Sequence, residues 1–263
     1  MNQVATVRLD LESSVLTGDL GALRQAWAGR SDAVALTGAG VSVESGIPDF
    51  RSECGLWHRF DPMEYATLEC FLNDPAKAWE LYRELGSILR GKSPNPAHST
   101  LADMERRGDL KGILTQNIDG LHQAAGSRSV VELHGAHSSL HCLGCGHTEP
   151  FAAAFLNPGP VPSCPACGHA LKPNAVLFGE PIREVAQART LVDGCRTMLV
   201  IGTSAEVVPA CLYPDRVLRA GGSIIEFNTE PTERTRGGLG PDGVLVQGPV
   251  GRTLPLLLEL FQP

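Results

Sequence analysis

Apolar residues follow two different spacings along this chain, and the two spacings alternate. Short uninterrupted apolar runs predict buried strands, and apolar residues at every third or fourth position predict amphipathic helices. The predicted strands are residues 33–36, 112–115, 130–133, 198–201, 223–227 and 244–246. The predicted helices are residues 11–27, 75–90, 96–107, 182–192, 212–220 and 252–260. Because such alternation is typical of a parallel sheet, we predict an α/β fold with helices on both faces.

Two segments interrupt this alternation. Residues 141–173 are rich in Cys, Gly and Pro, which indicates a small inserted module. Residues 229–243 are polar and rich in Gly and Pro, which favours a surface loop. A length of 263 residues suits one large domain with a small satellite.

The composition excludes some classes of partner. Apolar residues make up 43% and charged residues 19%, as in a soluble globular protein. The 22 Lys and Arg against 29 Asp and Glu give a net charge of −7. Because an acidic chain lacks the positive surface that holds a phosphate backbone, we expect no direct nucleic-acid binding.

The sequence predicts neither a signal peptide nor a membrane span. The first 14 residues carry Arg8, Asp10 and Glu12, and no run of about 20 apolar residues occurs anywhere. We therefore expect a cytoplasmic protein with reduced thiols, acting as a monomer. In that setting the four scattered cysteines are expected to be small buried hydrophobic residues: Cys54, Cys70, Cys195 and Cys211.

Four further cysteines form the most specific motif. Cys142 and Cys145 form one Cys-x-x-Cys pair, and Cys164 and Cys167 form a second pair after eighteen intervening residues. This is zinc-ribbon spacing, and four thiolates close the coordination sphere, so the site is predicted to be structural. Two disulfides or a redox pair are the alternative. Three histidines near the thiols are competing candidate ligands: His141, His147 and His169.

Residues 38–51 form a polar, glycine-containing loop directly after the first predicted strand. Gly38 and Gly40 are placed to let the backbone approach a pyrophosphate, although Val43 replaces the third glycine of the dinucleotide fingerprint. A tight strand-to-helix turn is the alternative interpretation. Several polar side chains crowd into this loop and favour a ligand site: Ser42, Ser45, Asp49 and Arg51.

Polar residues also follow two later strands. Asn117 and Asp119 are candidates to hydrogen-bond an amide or a ribose, and helix capping is their alternative role. His134 follows the next strand, where a neutral imidazole can act as a general base, although a structural role stays open. In open parallel sheets, ligands bind beyond the carboxyl ends of the strands.

Taken together and in order, these motifs resemble the sirtuin family of NAD-dependent protein lysine deacylases. The similarity covers residues 30–260. The segments that carry it are residues 38–51, 115–122, 133–135, 176–180 and 202–204, together with the two Cys-x-x-Cys pairs.

The resemblance implies a discontinuous Rossmann-like NAD-binding domain and a smaller helical and zinc-ribbon domain. The large domain would comprise residues 1–51, 92–137 and 173–263, and the small domain residues 52–91 and 138–172. NAD would contact Gly38, Ala39, Gly40, Ser42, Asp49, Phe50, Arg51, Trp57, Gln116, Asn117, Ile118, Asp119, Gly202, Thr203, Ser204, Asn228, Thr229, Glu230 and Val250. One structural zinc would sit on the four paired cysteines.

The resemblance also implies the chemistry. The acyl oxygen attacks the nicotinamide ribose as nicotinamide leaves, and the products are free lysine and O-acyl-ADP-ribose. His134 and Asn117 would be the catalytic residues, with His134 as general base for a ribose hydroxyl. Acyl-lysine proteins would be the substrates, bound as an added strand at Val176, Phe178, Gly179 and Glu180.

The acyl pocket is the most specific expectation. Sirtuins that remove acidic acyl groups carry a Tyr and an Arg three residues apart, whereas this chain has Tyr82 and Leu85. We therefore predict uncharged acyl groups in preference to succinyl or malonyl. Two other functions stay open: protein ADP-ribosylation at the same NAD site, or a non-catalytic binding module built on the zinc ribbon.

Overall fold

The computed structural model describes residues 4–27, 32–49 and 55–260. Eight strands form one sheet in the order β2-β1-β11-β10-β9-β3-β4-β5, and three form a second sheet in the order β7-β6-β8. The strands are β1 Ala5–Asp10, β2 Val15–Gly18, β3 Ala33–Thr37, β4 Leu110–Thr115, β5 Val130–Glu132, β6 Gly135–Cys142, β7 Thr148–Pro150, β8 Leu171–Ala175, β9 Thr197–Ile201, β10 Ser223–Asn228 and β11 Val244–Gln247.

Ten α-helices connect these strands in the described ranges. They are α1 Leu20–Trp27, α2 Pro62–Tyr65, α3 Leu68–Asn73, α4 Pro75–Leu89, α5 Pro96–Arg107, α6 Leu121–Ala124, α7 Val185–Val192, α8 Leu212–Arg219, α9 Glu233–Gly237 and α10 Val250–Glu259. None of the described helices is long and apolar enough to cross a membrane.

The large sheet is parallel except for its edge strand β2, which runs antiparallel to β1. Both faces are buried, because alternate residues of β3 enter different cores. Ala33 and Ala35 pack with α1, α5 and α10, while Val34 and Leu36 pack with α7 and α8. The predicted α/β sheet with helices on both faces is therefore confirmed.

The order of the strands creates a switch point beside β3. The chain runs from β3 to β4 and β5 on one side, and returns to β9, β10 and β11 on the other. In open parallel sheets, a switch point of this kind places the ligand crevice at the carboxyl ends of the strands.

The three-stranded antiparallel sheet packs against the helices α3 and α4. Trp79 of α4 is fully buried, and its indole Nε1 donates to the carbonyl of Leu171 in β8 at 2.8 Å. Phe151 stacks on the same indole with ring centroids 6.1 Å apart. Helices and small sheet thus share one core.

The prediction of a helix over residues 11–27 is wrong in its first half. The chain forms a hairpin there, and only residues from Leu20 onward are helical. Asp10 accepts two backbone N–H groups of the turn, and Asp19 caps the helix by accepting from Ala22. Gly18 adopts a positive φ of 102°, which favours glycine and separates strand from helix.

Other elements also differ from the sequence pattern. The helix predicted from residue 182 begins at Val185. The polar loop 229–243 contains the short helix α9, which Thr232 caps by accepting from the backbone of Thr235. Local side-chain capping, rather than apolar spacing, sets the start of this short helix.

Candidate functional site

The loops after β3 and β9 interlock through glycines at the switch point. The N–H of Gly40 donates to the carbonyl of Gly202 at 2.8 Å. A Cβ on Gly38 would lie 2.6 Å from the Cβ of Thr203, and one on Gly40 would lie 2.7 Å from the Cα of Gly202. Packing between the two loops therefore requires glycine at both positions. The sequence analysis had assigned these glycines to the close approach of a pyrophosphate.

Ser42 joins the first loop to the polar residues after β4. Its hydroxyl donates to the carboxylate of Asp119 at 2.7 Å and accepts from the amide of Asn117 at 3.2 Å. Asn117 also donates to the carbonyl of Gly38 at 3.1 Å. The structure thus brings these four sequence-predicted residues together at the crevice.

A buried histidine completes this chain of hydrogen bonds. The N–H of Asn95 donates to Nδ1 of His98 at 3.3 Å, so Nε2 carries the ring proton and faces the Ser42 hydroxyl at 3.4 Å. Burial lowers the pKa of His98 to about 4, which keeps the ring neutral. Protons are therefore ordered from Asn95 through His98 and Ser42 to the carboxylate of Asp119.

A second histidine begins a chain of hydrogen bonds that ends at the backbone of Asn117. His122 lies 2.9 Å from the hydroxyl of Thr37, which donates to Thr115 at 2.9 Å. The Thr115 hydroxyl in turn accepts the N–H of Asn117 at 3.0 Å. Burial lowers the pKa of His122 to about 3. The sequence analysis assigned no role to His98 or His122, although His122 lies inside a motif that it singled out.

His134 is held in one tautomer. Its Nδ1 lies 2.9 Å from the carbonyl oxygen of Gln116, and a carbonyl can only accept, so Nδ1 carries the proton. Nε2 then bears the lone pair. Burial lowers the pKa of His134, and the hydrogen bond to Gln116 opposes that shift. The ring is therefore neutral near pH 7, as a general base must be.

Gln116 also links the strand ends across the crevice. Its side chain donates to the hydroxyl of Thr203 at 2.9 Å, and the amide of Asn228 donates to the Thr203 carbonyl at 3.3 Å. Hydroxyl and amide groups of this kind suit the hydroxyls of a ribose. They lie at the ends of β4, β9 and β10, where a dinucleotide binds in such folds.

The candidate NAD contacts that follow β10 and β11 differ in their exposure. Val250 is buried in the apolar core at the start of α10, so its side chain is packed away from the crevice. Thr229 and Glu230 are exposed. The sequence analysis did not identify Glu44. Its carboxylate accepts the N–H of Gly251 at 2.5 Å and so connects α10 to the loop after β3.

The remaining candidates are distributed around the loops. Phe50 and Arg51 lie outside the described residues. Asp49 contributes its carbonyl, which accepts the N–H of Leu56 at 3.1 Å. The other predicted contacts follow β3, β4 and β9 or lie just beyond the undescribed segment: Ala39, Ile118, Ser204 and Trp57.

The predicted peptide-binding segment passes beside His134. The N–H of Val176 donates to the carbonyl of His134 at 2.8 Å. Phe178 already uses its N–H on Ala66 and its carbonyl on Leu68. An added strand would therefore have to use other backbone groups of this segment, such as those of Gly179.

The predicted acyl-pocket pair is split between two clusters. Tyr82 is only 2% exposed and packs with Trp79 in the core shared with the small sheet. Its hydroxyl has no hydrogen-bond partner among the described residues, and burial raises its pKa. Leu85 instead packs against Leu56 and its apolar neighbours. Arg83 donates to the carbonyl of Gly159, which directs its charge toward the zinc-ribbon side.

The four paired cysteines form one cluster. All four Sγ atoms lie within 4.8 Å of one another. The sulfur of Cys142 lies 3.5 Å from that of Cys167, and the sulfur of Cys145 lies 3.6 Å from that of Cys164. A tetrahedral zinc with bonds of about 2.3 Å requires sulfur atoms about 3.8 Å apart, so the cluster fits one zinc. The cluster that the described residues form contains no histidine. Zinc would be held by Cys142, Cys145, Cys164 and Cys167.

Both halves of this cluster repeat the pattern Cys-x-x-Cys-Gly-His, which sequence analysis did not use. Gly146 and Gly168 both adopt positive φ, at 76° and 78°. Each glycine N–H donates to the carbonyl of the first cysteine of its pair at 2.9 Å. The identical turns aim two thiols each at a common centre.

Comparison with known proteins agrees with this geometry. The Sir2 family model matches residues 38–209. An NAD-dependent protein deacylase of Thermococcus kodakarensis is 42% identical over 236 residues, covering 86% of this chain and 90% of the relative. With this match and this site, the chain belongs to the Sir2 family, and the predicted resemblance is confirmed.

Two solved structures are similar over nearly the whole chain. A Sir2 protein with a deacetylated p53 peptide and 3′-O-acetyl-ADP-ribose has a TM-score of 0.82 and 30% identity, covering 92% of this chain and 96% of its own. A Sir2 protein bound to a myristoylated histone peptide has a TM-score of 0.74 and 35% identity, covering 91% and 96%.

Proposed function

We propose that this chain is an NAD-dependent protein lysine deacylase that releases nicotinamide and O-acyl-ADP-ribose. The observation that carries the proposal is the fixed tautomer of His134, whose free Nε2 results from the 2.9 Å contact with the Gln116 carbonyl. This base follows β5, beside the polar residues that end β4, in a Sir2-family fold. The solved relatives with an acetyl-ADP-ribose and an acylated peptide support the same reaction.

In this proposal, NAD is a co-substrate that supplies the ribose to which the acyl group is transferred. Asn117 and Asp119 hydrogen-bond its nicotinamide end, because their side chains are oriented by Ser42. Gln116 and Thr203 hold ribose hydroxyls. The wider set of proposed NAD contacts is Gly38, Ala39, Gly40, Ser42, Asp49, Phe50, Arg51, Trp57, Ile118, Gly202, Ser204, Asn228, Thr229, Glu230 and, through its backbone because its side chain is in the core, Val250.

His134 moves the proton in this proposal. Nε2 accepts the proton of a ribose hydroxyl, which makes that oxygen a nucleophile toward the acyl carbon. The bond between the acyl carbon and the lysine nitrogen then breaks, the amine leaves as free lysine, and one water molecule completes O-acyl-ADP-ribose. The Gln116 carbonyl stabilises the imidazolium that forms, because its oxygen lies on the Nδ1–H. General-base catalysis of this kind contributes about 10²–10⁴-fold to a rate.

We propose that the peptide adds as a strand along residues 176–180. Backbone hydrogen bonds would supply affinity there, and Leu85 would border the acyl chain, whereas Tyr82 is buried with Trp79. Residues 52–91 and 138–172 would act as the smaller domain. We place the protein in the cytoplasm, because a reducing compartment keeps the four thiols available to zinc.

One incubation tests the proposal. The protein is mixed with NAD and an acetyl-lysine peptide, and nicotinamide, free peptide and modified protein are followed by mass spectrometry. Deacylated peptide formed only with NAD, at one nicotinamide per lysine, is expected. ADP-ribose attached to protein without loss of the acetyl group would indicate a transferase instead. Absence of any NAD consumption would indicate a non-catalytic binding module.

A further inference from the structure

The buried ammonium group of Lys172 is a feature that the proposed chemistry does not use. Lysine is almost never fully buried unless it is paired. The Lys172 side chain is 0% exposed, and its Nζ lies 3.1 Å from the carboxylate of Glu180, which is 10% exposed. Burial lowers the pKa of Lys172, and Glu180 opposes that shift. A fully buried ammonium group costs free energy unless its partners compensate for the lost water.

The partners of this ammonium all lie in the segment that follows it. Nζ donates to the carbonyl of Ala175 at 2.6 Å and to that of Pro173 at 3.2 Å, besides its contact with Glu180. These three contacts use all three N–H groups of a lysine. The same Glu180 oxygen accepts the N–H of Leu177 at 2.8 Å.

Lys172 is itself fixed to the zinc ribbon. In the small sheet it lies opposite His141, and the adjacent Leu171 lies opposite the zinc-ligand candidate Cys142. Its side chain reaches from that strand into the peptide-binding segment, whose Val176 is bonded to the carbonyl of His134. The ammonium thus connects the ribbon to the segment beside the base.

We propose that Lys172 and Glu180 form a positioning pair that holds residues 173–180 in the shape that receives the acyl-lysine peptide. The expected effect on peptide affinity rests on the proposed deacylase function, whereas the expected effect on the segment itself does not. Because Lys172 is fully buried, it acts on the peptide through the segment and not by contact. Loss of the pair should loosen the segment and leave NAD binding unchanged.

The first test is Lys172→Met in the full-length protein. We expect the KM for an acetyl-lysine peptide to rise at least about tenfold, with the KM for NAD within about twofold of the wild type. Lys172→Arg, which keeps the charge and its reach, should restore most of the affinity. Adding Lys172→Met to Glu180→Gln should change the peptide KM less than about twofold, because the two residues act as one unit.

A matched control is available. Lys77 and Glu64 are also 3.1 Å apart but lie at the surface, with side chains 35% and 59% exposed. Lys77→Met should leave the peptide KM unchanged. Zinc content and thermal unfolding are measured for every variant, so a general loss of structure is recognised.

Hydrogen exchange tests the pair without any activity. In Lys172→Met, exchange of amides in residues 174–180 should accelerate at least about tenfold, while those of β9 stay protected. If Lys172→Met does not fold, the neutral double variant with Glu180→Gln replaces it, with the same acceleration expected. Wild-type protection of residues 174–180 would overturn the proposal, and so would a folded Lys172→Met with the wild-type peptide KM. A catalytically silent wild type would contradict the deacylase function alone.

Discussion

Nδ1 of His134 lies 2.9 Å from the backbone carbonyl of Gln116, and this contact leaves Nε2 as the basic atom. The same residue Gln116 reaches Thr203 with its side chain. One residue therefore sets the tautomer of His134 and spans the strand ends that form the crevice. The first two predictions depend on this arrangement.

Replacing His134 by Ala should lower kcat for deacylation at least about 10²-fold, since the base for the ribose hydroxyl is lost. NAD affinity should change little, because the imidazole contributes only one ribose hydroxyl contact and the other proposed NAD contacts are left intact. Turnover with an acetyl-lysine peptide and NAD binding by calorimetry check both parts. A variant that retains near-wild-type turnover would refute the role of His134.

The pH dependence of the reaction should follow the same ring. Burial lowers the pKa of His134 below its usual 6.5, and only the neutral ring accepts a proton. As pH falls through the lowered pKa the rate should fall, and from about pH 7 upward this group should give no further increase. A profile of kcat/KM from pH 5 to 8.5 measures this. A rise that continues to pH 8 would contradict a neutral base.

The glycine contacts at the switch point predict a sharp steric effect. A Cβ on Gly40 would lie 2.7 Å from backbone of Gly202, which cannot move aside as a side chain can. Gly40→Ala should cost at least about 1–3 kcal/mol of unfolding free energy and weaken NAD binding. Gly21→Ala, in helix α1 where nothing is closer than 3.5 Å, is the control and should be neutral or stabilising. Equal stability of the two variants would count against the interlocked loops.

Apolar periodicity predicted most of the large sheet correctly because its five central strands, β11, β10, β9, β3 and β4, are buried on both faces. It failed at β1 and β2, where backbone N–H groups that donate to Asp10 and a positive φ at Gly18 decide the local structure. The zinc ligands were predictable because their spacing is short and local. The links from His98 to Ser42 and from Lys172 to Glu180 were not, since each joins residues that only the tertiary fold brings together.

Zinc removal should loosen the small sheet. Cys167→Ser should reduce the bound zinc and change the fluorescence of Trp79, whose indole is fixed to β8 at Leu171. Activity should fall with it, because the peptide segment follows β8. Cys211→Ser, at a cysteine outside the cluster, is the control. Elemental analysis that finds no zinc in active wild-type protein would exclude the metal site.

Leu85 predicts the acyl preference of the proposed deacylase. A succinyl carboxylate in this pocket would lose water and find no guanidinium, because Arg83 is bonded to Gly159. That desolvation costs at least about 1–3 kcal/mol, so kcat/KM for acetyl or butyryl peptides should exceed that for succinyl or malonyl at least about tenfold. Leu85→Arg should lower the ratio of kcat/KM for acetyl peptides to kcat/KM for succinyl peptides. Faster succinyl removal by the wild type would show that Leu85 does not set the preference.

The fate of the acyl group tests the central claim most directly. An acetyl-lysine peptide carrying ¹³C in its acetyl group is incubated with the protein and NAD, and every labelled product is identified by mass spectrometry. The account predicts that the label appears on ADP-ribose, in equal amount to nicotinamide, and that His134→Ala abolishes this product. Label released only as free acetate, or retained on the peptide while nicotinamide is formed, would contradict it.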